Sequence, residues 1–259
     1  MLTGANLANR GLIYLGVSGD GDSASIGFGQ FAHAIRRGVN MTYIVENNGV
    51  YGLTKGQFSA TADRGSKSKR GVTNADNAID LVAIALQLGA TYVARSFSGD
   101  KTQLVPIIEG AIRHQGAAFI DVISPCVAFN NHAGSTKSFD YVREHNEAVN
   151  RLDVITGRAP ITIDQAPGTV QVVEQHDGTK LALRKIDADY DVHDRLAAMA
   201  FLQKHAAKGQ VVTGLLYVDP EADDLHANLN TVETPLNSLE AKDLCPGTAA
   251  LDKINASLR

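Results

Sequence analysis

Short apolar runs alternate with helix-length amphipathic segments along the first half of the chain, and this alternation constrains the fold more than any other feature. Strands are predicted at residues 12–18, 41–46, 91–95 and 117–123, and helices at 25–37, 77–88 and 100–114. A helix between two strands returns the chain so that the strands run parallel. The pattern therefore predicts an α/β fold with a doubly wound, mostly parallel sheet.

The second half of the sequence has a different pattern of apolar and polar residues. Two alternating runs within 171–186 flank Asp177-Gly178, a pair that is typical of a hairpin turn. A helix is predicted at 194–208 and a strand at 211–218, and from Asp219 onward we expect an extended tail that lies on a neighbouring subunit. We therefore expect an α/β domain over residues 1–150 and a C-terminal extension of hairpin, helix and tail over 151–259.

Composition narrows the class of protein. The chain has 259 residues of which 44% are apolar, enough for a large core, and only two cysteines, which argues against a disulfide-rich secreted scaffold. A formal charge of −4 argues against a duplex nucleic acid or an anionic membrane as partner. The apolar runs are too short to cross a bilayer, and the first residues do not resemble a signal peptide. We expect a cytoplasmic protein.

A glycine-rich motif with two aspartates stands where the first strand ends and a helix is about to begin. It reads Gly19-Asp20-Gly21-Asp22, and a helix N-terminus in this position favours phosphate binding. Asp20 would repel a bare phosphate, so a divalent cation between them is expected. Mg²⁺ commonly combines one or two protein oxygens with phosphate oxygens.

The next strand supplies more oxygen ligands. It ends in Asn47-Asn48-Gly49-Val50, and its tip is expected in the same crevice as Asp20, where the Asn48 amide oxygen and the Val50 carbonyl would complete the protein ligands of Mg²⁺. A GDG motif that is followed, after residues 22–46, by NN is the fingerprint of thiamine diphosphate sites. The alternatives are weaker: Ala24 replaces the third glycine of a dinucleotide motif, a P-loop lysine is missing, and a purely structural glycine turn does not explain the NN pair.

The resemblance to a known family extends well beyond that fingerprint. Residues 19–57 read GDGDSASIGFGQFAHAIRRGVNMTYIVENNGVYGLTKGQ, and ARSF at 94–97, DVISPC at 121–126 and GLLYV at 214–218 follow. These segments resemble the thiamine diphosphate-binding β subunit of 2-oxoacid:ferredoxin oxidoreductases, most of all the 2-oxoglutarate-using branch. The resemblance implies an αβ or α₂β₂ enzyme that converts a 2-oxoacid and coenzyme A to acyl-CoA and CO₂ and passes electrons to ferredoxin.

The resemblance also implies roles for individual residues. It makes Asp20, Asn48 and Val50 the Mg²⁺ ligands, and it makes Lys55 a catalytic lysine near the reacting carbon, where a cation would hold a substrate carboxylate or a coenzyme A group. The glutamate that activates the cofactor is expected on the α subunit. The cofactor-binding residues implied by position are Gly19, Asp20, Gly21, Asp22, Ser23, Asn48, Val50, Leu53 and Thr54.

The cysteines depart from the family pattern. Cys126, in Ser124-Pro125-Cys126, matches one ligand of the family's 4Fe-4S cluster, which normally takes four thiolates. The family's other three ligands lie in an upstream segment that this sequence does not contain, so we expect that this polypeptide does not complete the cluster alone. Cys245 has no counterpart and is interpreted as an incidental tail cysteine.

Several alternatives stay open at this point. Specificity for pyruvate or for a broad range of 2-oxoacids is one, and a truncated, non-redox module for cofactor binding or assembly is another. A non-redox thiamine-dependent decarboxylase is the third. A basic loop containing Arg64, Lys67, Lys69 and Arg70 is either solvated or contacts coenzyme A phosphates or the α subunit.

Overall fold

The computed structural model describes residues 1–155, 170–186, 189–245 and 247–258. The parts of the predicted extension at 156–169, 187–188, 246 and 259 lie outside the described residues. The described α-helices are α1 (Leu2–Ala8), α2 (Phe28–Arg36), α3 (Leu81–Leu88), α4 (Lys101–Arg113), α5 (Phe139–His145), α6 (Arg195–Ala206), α7 (Leu225–Leu229), α8 (Ala241–Leu244) and α9 (Gly247–Ser257). The described strands are β1 (Leu15–Gly19), β2 (Met41–Asn47), β3 (Val50–Tyr51), β4 (Gln57–Phe58), β5 (Tyr92–Phe97), β6 (Ala117–Ile123), β7 (Asn146–Ala148), β8 (Asn150–Ile155), β9 (Val170–Glu174), β10 (Lys180–Lys185) and β11 (Val211–Val218).

The main sheet has six strands in the order β1-β2-β6-β5-β11-β7. Strands β1, β2, β6 and β5 run parallel to one another, whereas β11 is antiparallel to β5. Every residue of β6 is buried, so both faces of the sheet are covered at its centre, as expected of a doubly wound sheet. Helices α3 and α4 both pack on β5 and β6. The predicted fold class is confirmed.

Most helix and strand boundaries lie within a few residues of the predicted ones. Asp100 caps α4 by accepting a hydrogen bond from the Gln103 N–H, at the predicted start of this helix. Two predicted starts are wrong. The helix predicted at 77–88 begins only after Asp80, whose carboxylate caps α3. The strand predicted from Leu12 begins at Leu15, because residues 10–12 form a turn and a bend before it.

The helix predicted at 25–37 is divided into two parts. A π-helical turn over Asp22–Ile26 follows β1 almost directly, and α2 begins after Gly27. The Gly27 N–H donates to the carbonyl of Asp22, five residues back, which widens this turn. The GDG motif therefore opens into a π-turn and not into a regular α-helix.

The C-terminal half contributes strands to the main sheet and to a separate three-stranded sheet. The predicted hairpin at 171–186 is confirmed as β9 and β10, which form a three-stranded antiparallel sheet with β8. Strand β11 joins the main sheet beside β5, so strands from both predicted parts share one sheet. The division at residue 150 stays a prediction.

The prediction of an extended tail after Asp219 is wrong, because this segment contains α7, α8 and α9. Leu225, at the start of α7, is buried against Tyr14, Val39 and Met41, and its N–H donates to the Gly38 carbonyl. Helix α9 has no buried residue among those described. Contact of the tail with another subunit stays a prediction. In the described part of the chain, no helix is long and apolar enough to cross a membrane.

Candidate functional site

Four adjacent parallel strands have polar residues at or near their carboxyl ends. Asp20 follows β1, Asn47 ends β2 and is followed by Asn48, Asp121 lies in the last half of β6, and Arg95 lies opposite it on β5. Ligands of open α/β sheets bind at this carboxyl edge. The structure therefore brings the two halves of the predicted fingerprint to the same place.

Asp20 is the centre of this arrangement. Its side chain is buried, with 1% exposure, and its carboxylate accepts hydrogen bonds from the backbone N–H of Asn48 at 3.3 Å and of Gly49 at 3.1 Å. The hydroxyls of Ser59 and Thr61 also contact its Oδ2 atom, the latter at 2.6 Å. Sequence reasoning missed both hydroxyls, since they come from a loop without periodic pattern.

The oxygens around Asp20 outnumber the protons available to them. Ser59 and Thr61 each contact Asp20, they contact each other at 2.9 Å, and Thr61 Oγ1 also lies 3.0 Å from Asn47 Oδ1. Each hydroxyl carries a single proton, so the two hydroxyls cannot satisfy all four contacts. The other carboxylate oxygen, Oδ1, has one long hydrogen bond, to Asn48 N–H. An oxygen-rich site of this kind fits a hard divalent cation.

The other two predicted Mg²⁺ ligands lie in the turn that touches Asp20. Asn48 Oδ1 accepts from the Val50 N–H at 3.1 Å, so the amide oxygen is oriented by the turn itself. Asn130, a buried residue, donates from Nδ2 to the Asn48 carbonyl at 2.7 Å and fixes the turn from the other side. Asp20, Asn48 and Val50 are thus brought together, as the sequence predicted.

The predicted diphosphate turn packs closely against the β3 segment. The Tyr51 hydroxyl donates to the Gly21 carbonyl at 3.2 Å, and a β-carbon at Gly21 would lie 2.3 Å from the Tyr51 ring. Only glycine fits there without displacing the ring. Asp22 is exposed, whereas Ser23 is buried and its hydroxyl lies 2.6 Å from that of Ser18. Any contact of Ser23 with a diphosphate is therefore limited to its backbone.

Lys55 belongs to the loop between β3 and β4. Its φ is +80°, a left-handed conformation that costs a non-glycine residue about 1–2 kcal/mol. The loop is closed by a hydrogen bond from the Gly56 N–H to the Tyr51 carbonyl at 2.9 Å and by one from the Thr54 hydroxyl to Gln57 at 2.7 Å. Lys55 is exposed, and Leu53 is 98% exposed, so this predicted part of the site faces outward.

A chain of buried polar contacts continues from Asp20 across the sheet. Asn47 Nδ2 donates to Asp121 Oδ1 at 3.0 Å, and Arg95 Nε donates to Asp121 Oδ2 at 2.8 Å. Arg95 also pairs with Asp80 at 2.5 Å. Burial alone would lower the pKa of Arg95, but the two carboxylates outweigh it and raise the pKa, so the guanidinium stays charged.

Sequence reasoning gave Asp121 and Arg95 no role. Asp121 is 1% exposed in the middle of a strand that is otherwise apolar, AAFIDVI. A charged residue is almost never buried without a partner. The aspartate within this apolar run was therefore the sequence signal for a buried, paired carboxylate. Above the chain of contacts lies a polar cleft of about 320 Å³, lined in part by Asn47, Thr61 and Arg95.

Cys126 lies three residues beyond β6, at the same edge of the sheet. It is a free, partly buried thiol, 3.4 Å from where a β-carbon on Gly52 would lie. Cys245 is free and exposed at the end of α8. Within the described residues, no group of three or more His, Cys, Asp or Glu side chains could hold a metal. A cluster site is therefore not formed by the described part of the chain.

The fold and the fingerprint define a class of protein, the thiamine pyrophosphate enzymes. Residues 1–122 match the family described as "Thiamine pyrophosphate enzyme, C-terminal TPP binding domain". The match includes β1, β2, the Asp20 cluster and most of β6. Residues 1–122 are therefore similar to a thiamine pyrophosphate-binding domain.

Individual relatives narrow the class. The chain is 35% identical over 202 residues to the 2-oxoacid:ferredoxin oxidoreductase subunit beta of Sulfolobus sp, covering 78% of this chain and 61% of the relative. It is 35% identical over 196 residues to the 2-oxoglutarate oxidoreductase subunit KorB of Mycobacterium tuberculosis, covering 74% of this chain and 50% of the relative. The chain is therefore similar to 2-oxoacid:ferredoxin oxidoreductase β subunits, and it spans about half to three fifths of the length of these relatives.

A solved structure agrees with the relatives. The 2-oxoglutarate:ferredoxin oxidoreductase from Magnetococcus marinus, solved with 2-oxoglutarate, coenzyme A and succinyl-CoA bound, matches with a TM-score of 0.69 and 29% identity. The match covers 100% of this chain and 72% of that chain. The two proteins therefore share the architecture of the described residues.

Proposed function

We propose that this chain is the thiamine diphosphate-binding part of the β subunit of a 2-oxoglutarate:ferredoxin oxidoreductase, active together with an α subunit. In the reaction, a 2-oxoacid and coenzyme A give acyl-CoA and CO₂, and two electrons pass to ferredoxin. The observation that carries the proposal is the meeting of Asp20, Asn48 and Val50 at the carboxyl edge of a sheet whose domain is similar to the thiamine pyrophosphate family.

Within this proposal, Asp20, Asn48 and the Val50 carbonyl hold Mg²⁺. The backbone of the π-helical turn, with Gly19, Gly21, Asp22 and Ser23, holds the diphosphate, and Leu53 and Thr54 contact the cofactor further along. Thiamine diphosphate, when bound, supplies the carbon nucleophile and the electron sink for decarboxylation. Ser59 and Thr61 hold the Asp20 carboxylate in one orientation, and Asn130 holds the turn that presents Asn48.

Lys55 is the proposed catalytic lysine. Its loop begins directly after the strand that contains Val50, and its backbone is held in a left-handed conformation by the hydrogen bonds of that loop. A compact ammonium group there is suited to bind a carboxylate of the 2-oxoacid. A second carboxylate, present in 2-oxoglutarate and absent from pyruvate, would add a charged contact and so favours the dicarboxylic substrate.

Cys126 is proposed as one thiolate ligand of a 4Fe-4S cluster that transfers the electrons to ferredoxin. It lies at the carboxyl edge of the sheet, in contact with the β3–β4 loop through Gly52. As a ligand, Cys126 would present a soft sulfur atom beside the loop that carries Lys55. Such proximity suits electron transfer from the reacting carbon.

The test is reconstitution of the β subunit that contains this chain, with its 4Fe-4S cluster, together with an α subunit, thiamine diphosphate, Mg²⁺, coenzyme A and a viologen dye. The proposal predicts reduction of the dye with 2-oxoglutarate at a higher kcat/KM than with pyruvate, with one acyl-CoA formed per two electrons. Faster reduction with pyruvate would overturn the substrate assignment. Release of CO₂ without dye reduction would indicate a non-redox decarboxylase, and cofactor binding without turnover would indicate an assembly module.

A further inference from the structure

The side-chain amide of Asn47 lies between the hydroxyls around Asp20 and a buried ion pair. Its Nδ2 donates to Asp121 Oδ1 at 3.0 Å, while its Oδ1 lies 3.0 Å from Thr61 Oγ1. Asn47, Thr61 and Asp121 are each at most 4% exposed. Rotation of the amide by half a turn would exchange its donor and its acceptor between these two neighbours. The contacts on its two sides therefore decide which end of the amide faces Thr61.

The rotated amide would suit the surroundings of Asp20 better than the observed one. The hydroxyls of Ser59 and Thr61 share two protons among four contacts. If Nδ2 of Asn47 faced Thr61, it would donate to the threonine oxygen, and the threonine proton would be free for Asp20. Three protons would then serve the same four contacts. The observed orientation is therefore imposed from the other side of the amide.

Asp121 imposes this orientation. Its Oδ2 accepts from Arg95 Nε at 2.8 Å, and the direction of that hydrogen bond is fixed because a guanidinium has no acceptor. In the ion pair Asp121 is a carboxylate, which only accepts, so it takes the amide nitrogen of Asn47 and excludes the amide oxygen. Arg95 is held in turn by Asp80, the residue that caps α3. The ion pair thus acts on the hydroxyls around Asp20 through the Asn47 amide.

We propose that Asp121 and Arg95 are positioning residues of the cation site: they hold the amide oxygen of Asn47 toward Thr61 and so withhold one hydrogen-bond donor from the oxygens around Asp20. Oxygens that lack a donor are better ligands for a divalent cation. Side chains that contact the metal ligands from outside typically change metal affinity by about 10–100-fold. The identity of the cation as the Mg²⁺ of thiamine diphosphate rests on the proposed function, whereas the orientation of the amide does not.

Asp121→Asn tests the proposal, because it reverses the direction of these contacts at nearly constant shape. Arg95 still requires an acceptor, so the new amide turns its oxygen toward Arg95 and its nitrogen toward Asn47. Asn47 then rotates, and its Nδ2 supplies the withheld donor to Thr61. We expect the affinity for thiamine diphosphate in excess Mg²⁺, measured by calorimetric titration of the full chain, to fall about tenfold.

Two matched variants distinguish the orientation of the amide from damage to the ion pair. Asp80→Asn removes the other carboxylate from Arg95, keeps a residue that can cap α3 and leaves the contact of Asp121 with Asn47 in place, so the affinity should be unchanged. The double variant Asp121→Asn/Arg95→Met removes both charges of the buried pair, which a fold can tolerate. Without the guanidinium the new amide can accept from Asn47 again, and the affinity should return to within about threefold of the unaltered chain.

Nuclear magnetic resonance of the chain without cofactor shows the amide directly. With asparagine labelled with nitrogen-15, nuclear Overhauser effects should place the side-chain amide protons of Asn47 closer to Thr61 in Asp121→Asn than in the unaltered chain. Circular dichroism checks that each variant has folded. The proposal is overturned if these protons already face Thr61 in the unaltered chain or do not move in Asp121→Asn. It is also overturned if Asp121→Asn binds as tightly as the unaltered chain, if Asp80→Asn is weakened as much, or if the folded double variant binds no more tightly than Asp121→Asn.

Failure of the proposed function would give a different result. If the unaltered chain did not bind thiamine diphosphate in excess Mg²⁺, the function would be contradicted, while the resonance measurement would still decide whether Asp121 orients Asn47. Saturable binding by the unaltered chain together with an unchanged affinity in Asp121→Asn would leave the function in place and overturn the positioning role.

Discussion

Replacing Thr61 by Val removes one hydroxyl from the buried cluster around Asp20 and keeps nearly the same side-chain shape. The hydroxyl lies 2.6 Å from Asp20 Oδ2 and 3.0 Å from Asn47 Oδ1. Loss of a hydrogen bond to a charged group costs about 1.5–3 kcal/mol, and a buried oxygen left without a partner costs about 1–3 kcal/mol. Because neighbouring groups compensate in part, we expect the free energy of unfolding to fall by about 3 kcal/mol in total.

Thr102→Val is the matched control. The Thr102 hydroxyl also donates to an aspartate, Asp100, at 2.7 Å, but this pair is exposed on the first turn of α4. Its loss should change the free energy of unfolding by about 0.5 kcal/mol or less. Urea unfolding followed by far-ultraviolet circular dichroism, without cofactor, measures both variants. If Thr61→Val were no more destabilising than Thr102→Val, Thr61 would not hold Asp20 as described.

Three further predictions concern separate parts of the chain. Gly21→Ala should destabilise the protein and weaken thiamine diphosphate binding because its β-carbon would collide with Tyr51, whereas Gly29→Ala, with no atom within 4 Å, should stabilise α2 by about 0.5–1 kcal/mol in thermal unfolding. Burial, together with the nearby His176, lowers the pKa of His114 to about 3, so this histidine stays neutral in the folded state while the unfolded chain takes up a proton below pH 6.5. Between pH 7 and 5 the His114 contribution to stability should therefore fall by about 2 kcal/mol, and urea unfolding of His114→Gln should lack that loss. Lys55→Ala should lower turnover of the reconstituted enzyme and leave thiamine diphosphate affinity nearly intact; unchanged turnover would contradict its role.

The sequence was sufficient to predict the elements that depend on local patterns. The parallel strands, the start of α4 near residue 100 and the meeting of Asp20 with Asn48 all follow from periodicity and from the rule that parallel strands end at one edge. Predicting these features does not require knowing which loop folds back against the site.

The rest depends on long-range contacts that leave little trace in the sequence. Ser59 and Thr61 reach Asp20 from a loop about forty residues away, and the loop carries no periodic pattern. The contact between Arg95 and Asp121 depends on the order β6-β5, which spacing along the chain does not specify. The helices after Asp219 escaped prediction because that segment is short, polar and interrupted by prolines.

The central claim is that Asp20 holds a thiamine diphosphate through a magnesium ion. Calorimetric titration of the chain with thiamine diphosphate tests this claim most directly. The titration is done in the presence of Mg²⁺ and in the presence of a chelator, with the unaltered protein, with Asp20→Asn and with the control Asp22→Asn. The account predicts saturable binding that needs Mg²⁺, is lost in Asp20→Asn and survives in Asp22→Asn, because the Asp22 carboxylate is exposed and the proposed contact of Asp22 with the diphosphate is made by its backbone. Thiamine diphosphate binding that persists in the chelator, or equally in Asp20→Asn, would contradict it.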